Sequence, residues 1–165
     1  IDIIPVFNLY EEFWKIYTKS DAIPPQYIDA SGKVSRCIIG EGTEIYGDVE
    51  NSVIGSCVTI GEGAVIRNSI IMNGVTIGDG AVIDKAIIAE NVEVGKNAHL
   101  GVGEEAVNEM KPAVYAFGLV TIGENSVIPD GVSIGKNTAI YGKTEPSDYP
   151  DGALKSGGSI IKAGE

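Results

Sequence analysis

The chain has 165 residues, enough for one domain with a sizeable core or a domain and an appendage. Its formal charge of −11 would repel polyanions, so nucleic acid and anionic membrane surfaces are excluded as partners. No apolar run approaches the ~20 residues of a membrane span, no signal peptide is present, and the 22 glycines with only 7% aromatics fit a repetitive core of Ile, Val and Ala.

Residues 1–32 do not repeat. They hold Phe7, Tyr10, Phe13, Trp14, Tyr17 and Tyr27 together with Pro24-Pro25, and read as an interdomain linker or N-terminal cap with one helical turn around Glu11 to Tyr17. Such a cap would cover the open end of a solenoid, whose strand edges otherwise stay unpaired. Ile1, rather than Met, opens the chain, which reads as a piece of a longer polypeptide.

Residues 33–142 read as a β-helix. From Ser52 to Leu100 the sequence repeats roughly every 17 residues: Ile54, Ile71 and Ile88 form one column, Ile60, Ile77 and Val94 another, and Ile66, Ile83 and Leu100 a third. A period this strict marks a solenoid. Within each unit the branched apolar residues lie six, six and five positions apart, which divides a turn into three short strands. Alternate residues of a strand face opposite sides, so Val58 and Ile60 point inward and Thr59 outward. Gly61 with Gly63, and Gly78 with Gly80, supply positive φ or close backbone approach at the corners. The expected fold is therefore an all-β, three-sided parallel solenoid of hexapeptide repeats with about five to six coils.

The coil from Cys37 to Asn51 is two residues short, with a tighter turn at Gly47-Asp48. Cys37 falls in the small inward column of Ser52, Ser69 and Ala86, whereas Cys57 falls at a corner beside Gly74 and Asn91. The two form no disulfide framework and no metal pattern, and both read as structural thiols kept reduced in a cytoplasmic protein. After Leu100 the register breaks from Gly101 to Leu119 and resumes at Val120. Insertions in solenoids collect on binding or assembly faces, so this excursion is the expected interaction site, with Glu105, Lys111, Tyr115 and Phe117 as contact candidates. Residues 143–165 lose the repeat and read as a C-terminal cap with a last short strand at Ser159 to Lys162.

No active site assembles from these residues. His99, the single histidine, aligns with the outward Val65 and Val82 and has no acidic or Ser partner nearby in sequence; it reads as a surface residue that gains interest from its closeness to the excursion. Glu62 and Asp79 stack one coil apart and Lys96 completes their column, which reads as a balanced solvated face. Lys96 and His99 join the four loop residues as candidates for subunit or effector contact. The sequence assigns no catalytic residue, no cofactor-binding residue and no metal ligand.

The stretch Asn8 to Thr18, Ile23-Pro-Pro25, Asn68 to Met72 and Gly118 to Gly123 together resemble the C-terminal half of bacterial glucose-1-phosphate adenylyltransferases (ADP-glucose pyrophosphorylases). The resemblance covers essentially the whole chain and implies a left-handed β-helix, an exception to the usual hand of parallel crossovers. It implies a cytoplasmic enzyme of glycogen synthesis that joins ATP and glucose 1-phosphate into ADP-glucose and pyrophosphate. Mg²⁺ and ATP would bind in an N-terminal catalytic domain absent from this chain, which alone would be inactive. The implied partners are that catalytic domain and further subunits in a homo- or hetero-oligomer, a tetramer in the family. Some members place an effector-binding Arg at the turn occupied here by Glu90. Alternatives are a non-catalytic regulatory paralogue, the tail of another sugar-1-phosphate nucleotidyltransferase, and a hexapeptide acyltransferase using His99.

Overall fold

The computed structural model describes Phe13 and residues 22–162. The helical turn expected around Glu11 to Tyr17 lies outside the described residues. The chain winds through three parallel sheets of six, seven and seven strands. Sheet one runs from Tyr27–Ile28 to Val127–Ile128, sheet two from Lys33–Ser35 to Ala153–Leu154, and sheet three from Ile38–Ile39 to Ser159–Ile161. Six to seven layers are thus stacked, more than the five to six coils expected. The additional layer comes from both ends: Tyr27–Ile28 pairs with Glu44–Ile45, and Ala153–Leu154 pairs with Ser133–Ile134. Neither end strand has the flanking apolar columns that reveal the others, because Tyr27 and Ile28 are largely exposed and Ala153 follows the 3₁₀ turns Pro146–Asp148 and Pro150–Gly152.

Strand register reproduces the sequence columns. Ile54 pairs with Ile71 and Ile71 with Ile88 in sheet three, Ile60 with Ile77 and Ile77 with Val94 in sheet one, and Ile66 with Ile83 and Ile83 with Leu100 in sheet two. All nine are buried and meet in one continuous core. Each large aliphatic side chain removed from water contributes about 1.5–3 kcal/mol, so the stability of the prism is distributed over its columns rather than held by any one contact.

The corners divide their tasks between neighbouring residues. Gly63 takes φ 66°, in the left-handed region, while a Cβ on Gly61 would lie 2.7 Å from the backbone nitrogen of Asp79 in the next coil; the first needs freedom of φ, the second needs the absence of a side chain. The left-handed corner is not reserved for glycine. Asn91, Asn97, Cys57 and Lys85 adopt it too, which costs an ordinary side chain roughly 1–2 kcal/mol and asparagine less. Cys57 is exposed at its corner, and Cys37 is half-buried against the core. In the short coil, Gly47 lies so close to Ala64 that a Cβ would sit 2.3 Å from its carbonyl oxygen.

The small inward column on sheet three is a polar ladder inside an apolar prism. Ser52 Oγ donates to the Glu50 carbonyl (2.7 Å) and accepts from the Ser69 amide (3.1 Å); Ser69 Oγ donates to the Arg67 carbonyl (2.6 Å) and accepts from the Ala86 amide (3.0 Å). Each buried hydroxyl thereby joins two coils. Ser69→Ala would leave the buried Ala86 N–H without its acceptor, and is expected to lower stability by about 1–3 kcal/mol in urea denaturation, against a negligible effect for Thr76→Ala on the exposed face of sheet one.

At the first coil, Asp29 gathers three donors. Ser31 Oγ (2.6 Å), the Ser31 amide (2.9 Å) and Tyr27 Oη (3.1 Å) all reach its carboxylate. The Ser31 hydroxyl is the strongest of these influences and holds the carboxyl down at about 2 against an ordinary 3.8. A carboxyl depressed in the folded state stabilises it above the unfolded value and stops doing so as pH falls through the folded one. The turn from Tyr27 to Gly32 is therefore expected to loosen between pH 3.8 and about 2, seen as loss of the hydrogen-bonded Ser31 amide signal in NMR. Asp29→Asn should abolish that transition.

Candidate interaction site at the coil insertion

The excursion leaves sheet two after His99–Val102 and re-enters the prism at Val120–Ile122 in sheet three. It leaves sheet two at a register shift between Leu100 and Val102, while sheet three keeps its register across it, since Ile88 pairs directly with Ile122. Strand pairing across it needs the loop ends to stay close, and two buried asparagines supply the tie. Asn108 Nδ2 donates to the Asn137 carbonyl (2.9 Å) and to Ser159 Oγ (3.1 Å), while its Oδ1 accepts from the amides of Met110 (3.0 Å) and Lys111 (2.9 Å). Asn137 Nδ2 donates to the Ala106 carbonyl (2.8 Å) and its Oδ1 accepts from the Gly118 amide (2.7 Å). The Glu109 amide adds a bond to the Gly157 carbonyl (3.0 Å). The insertion is consequently a shaped loop clamped to the two coils above it.

Outward it presents apolar side chains among the exposed charges of Glu104, Glu105, Glu109 and Lys111. Phe117 is 81% exposed, Val107 78%, Val114 64% and Met110 55%, a concentration of large apolar side chains of the kind that marks an interaction surface. Phe117 also holds φ 64°, unusual for a bulky residue and sustained by the clamped frame around it.

The sequence candidates divide. Glu105, Lys111, Tyr115 and Phe117 all lie on the loop: Glu105 sends its carboxylate against Gly118, Lys111 accepts at its carbonyl from the Val114 and Tyr115 amides, Tyr115 is half-buried and Phe117 is exposed. His99 lies at the entry to the loop, exposed on the outer face of sheet two between Val82 and Ser133. Lys96 belongs to a different edge, the corner between sheets one and two, where its ammonium contacts Asp79 (2.7 Å) and its amide donates to Asp130 (2.7 Å). That pair pulls the Asp79 carboxyl below its ordinary range, chiefly through the Lys96 hydrogen bond. Asp79 in turn accepts from the Glu62 amide (3.1 Å), so the acidic stack is a coil-to-coil ladder. Asn51 and Asn68 form a second ladder ending on Asp84.

Asn108 and Asn137 escaped the sequence reading. The available signal was the alignment of Asn137 with the left-handed corner column that contains Asn51 and Asn68; Asn108 has no counterpart in any coil. No group of three His, Cys, Asp or Glu side chains able to hold a metal occurs among the described residues, and no helix there is long and apolar enough to cross a membrane.

Residues 15–107 match the EIF2B subunit epsilon LbH domain family. Over all 165 residues the chain is 68% identical to a glucose-1-phosphate adenylyltransferase of Lachnospira eligens and 43% identical to one of Acetivibrio thermocellus, spanning 39% of each relative. A Thermotoga sp. glucose-1-phosphate adenylyltransferase is 53% identical over 96% of this chain and 37% of its own length. Among solved structures, the acetyltransferase domain of PglB from Neisseria gonorrhoeae FA1090 in complex with acetyl coenzyme A aligns with 83% of this chain and 51% of that one, at 21% identity and a TM-score of 0.46. The chain belongs to the left-handed β-helix family of the EIF2B subunit epsilon LbH domain, and it corresponds to the C-terminal portion of glucose-1-phosphate adenylyltransferases.

Proposed function

We propose that the chain is the assembly and regulatory domain of a cytoplasmic glucose-1-phosphate adenylyltransferase, and that the parent enzyme makes ADP-glucose and pyrophosphate from ATP and glucose 1-phosphate. The observation that carries this reading is 68% identity sustained over the full chain to a protein of that name. Mg²⁺ and ATP are assigned to the N-terminal part of the parent, beyond the 39% of the relative that this chain spans. The β-helix contributes a stiff prism and a clamped loop with exposed apolar side chains, and the loop is the contact between subunits.

The test is an initial-rate assay of the parent polypeptide with ATP, Mg²⁺ and a panel of sugar 1-phosphates. Pyrophosphate release with glucose 1-phosphate is the expected result, with no turnover by the isolated chain. Preference for another nucleotide or sugar would reassign the parent to a different sugar-1-phosphate nucleotidyltransferase. Acetyl-CoA turnover by the isolated chain, lost in His99→Ala, would favour a hexapeptide acyltransferase instead.

A further inference from the structure

The corners between sheets one and two are not equivalent. The first coil places four residues between Ile28 and Lys33, and the third places four between Ile60 and Val65, but the coil between them has only Tyr46 and Gly47 between Ile45 and Asp48. Two full corners therefore project on either side of a recessed one. The result is a notch of about 480 Å³ walled by Ser31, Lys33, Tyr46, Asp48, Glu62 and Val65, within the ~300–1,000 Å³ of small-molecule sites.

The two-residue gap also breaks the hydrogen-bond ladder of this edge. In later coils the corner amides of Gly80 and Asn97 donate to the Glu62 and Asp79 carbonyls of the preceding coil, both at 2.9 Å. The short coil has no residue to offer Gly63 the matching carbonyl, and for the same reason the Ala30 carbonyl of the first coil has no matching donor. A backbone donor and a backbone acceptor are thus left on the two sides of the short coil. Around them, the Lys33 ammonium and the Asp48 and Glu62 carboxylates make no side-chain hydrogen bond or ion pair among the described residues. Asp79, one coil beyond Glu62, is by contrast held by Lys96. Tyr46 closes one wall with Tyr27 packed 6.0 Å from it between ring centres, and the bonds of Ser31 to Asp29 hold the first corner in shape.

We propose that this notch binds an uncharged sugar. Its donors, the Gly63 amide and the Lys33 ammonium, are interspersed with the acceptors Asp48 and Glu62, which suits vicinal hydroxyls that both donate and accept. The Tyr46 ring and Val65 supply apolar surface for the C–H face of a pyranose. Charge excludes the main competitors. Lys33 is the one cation lining the notch, against Asp48 and Glu62 within it and Asp29 and Glu44 beside its tyrosines, so a phosphorylated sugar or a nucleotide is repelled. An organic cation is opposed by the Lys33 ammonium, which pairs in register with Asp48. Because the corners are already formed, binding orders little of the chain.

Titration of the chain, which has its own continuous core, with maltotriose, glucose 1-phosphate and spermidine, read by amide signals in NMR, tests this without reference to catalysis. Maltotriose should shift the Ser31, Gly47 and Gly63 amides saturably, with half-saturation in the low millimolar range, and leave those of Gly80 and Asn97 at the full corners in place. Glucose 1-phosphate and spermidine should each bind at least about tenfold more weakly. Asp48→Asn should weaken maltotriose about tenfold with an unchanged urea midpoint. Insertion of Glu-Gly after Tyr46, which gives the short corner the length of its neighbours, should abolish binding while the circular dichroism persists. No saturable shift with maltotriose, equal shifts at the full corners, or binding indifferent to Asp48→Asn would overturn the proposal. So would tighter binding of glucose 1-phosphate, which would make the notch an anion site, or of spermidine, which would make it a cation site.

Discussion

Ile77→Ala is expected to lower the stability of the domain by about 2–5 kcal/mol, and the melting temperature by on the order of 10 °C. Ile77 is 1% exposed and sits between Ile60 and Val94 in the middle of sheet one. A truncated side chain at an end coil could be offset by relaxation of a free edge. In the centre, the coils above and below are fixed by backbone hydrogen bonds, from the Thr59 amide to the Val75 carbonyl (3.0 Å) and from the Gly78 amide to the Val94 carbonyl (2.8 Å), so the cavity cannot collapse. Because a solenoid couples mainly to its nearest neighbours, amide exchange should accelerate first in coils 59–61 and 93–95. Differential scanning calorimetry with hydrogen exchange reads both effects. Ile77→Val, which keeps most of the volume, should cost only about 0.5–1.5 kcal/mol.

The second large effect is expected at Asn108→Ala. The side chain is 1% exposed and serves five partners: its Nδ2 donates to the Asn137 and Gly158 carbonyls and Ser159 Oγ, and its Oδ1 accepts from the Met110 and Lys111 amides. Truncation strands the Asn137 carbonyl and the amides of Met110 and Lys111. Each buried polar group left unpaired costs about 1–3 kcal/mol, and water entering from the loop's exposed side restores part, so a net loss of about 2–4 kcal/mol is expected. The functional consequence exceeds the thermodynamic one. The loop would keep its composition but lose the frame that presents Val114 and Phe117, so proteolysis should cut near Lys111 and assembly of the parent should weaken. Asn108→Asp sets a buried carboxylate oxygen against the Asn137 and Gly158 carbonyls, and should be at least as destabilising as alanine in a urea titration at neutral pH.

Most of the prism was legible because its coils share one environment. When Ile54, Ile71 and Ile88 occupy the same place in successive layers, a physical requirement is written three times and stands out from the surrounding sequence. The tight Gly47 turn was legible for the converse reason, as a two-residue gap in an otherwise regular spacing. Features that occur once were not legible. Asn108 reaches Asn137 and Ser159 across 29 and 51 residues, and no period announces such a contact. The serine ladder hid behind size: Ser52 and Ser69 satisfy the demand for a small inward side chain, and only their hydrogen bonds to neighbouring coils distinguish them from Ala86. The left-handed corners at Cys57 and Lys85 were masked because the residue types do not advertise the conformation, although their alignment with Gly74 and Asn68 carries it.

The insertion was located by the broken register, and Glu105, Lys111, Tyr115 and Phe117 lie on it, whereas Lys96 lies at the corner between sheets one and two beside Asp79. There Lys96 is held in the ladder with Asp79 and Asp130. Its neutralisation by substitution should leave assembly unchanged, in contrast to the loop.

The most direct measurement is the sedimentation mass of the parent polypeptide with Val114→Asp and Phe117→Asp combined. Both side chains are exposed, at 64% and 81%, so the fold of the β-helix should persist and its circular dichroism remain that of the wild type. If the clamped loop is the subunit contact, the wild-type parent sediments as an oligomer and the double variant as a smaller species. An unchanged oligomeric mass in the double variant, or a wild-type parent that is monomeric at all concentrations, would contradict an assembly role for the loop.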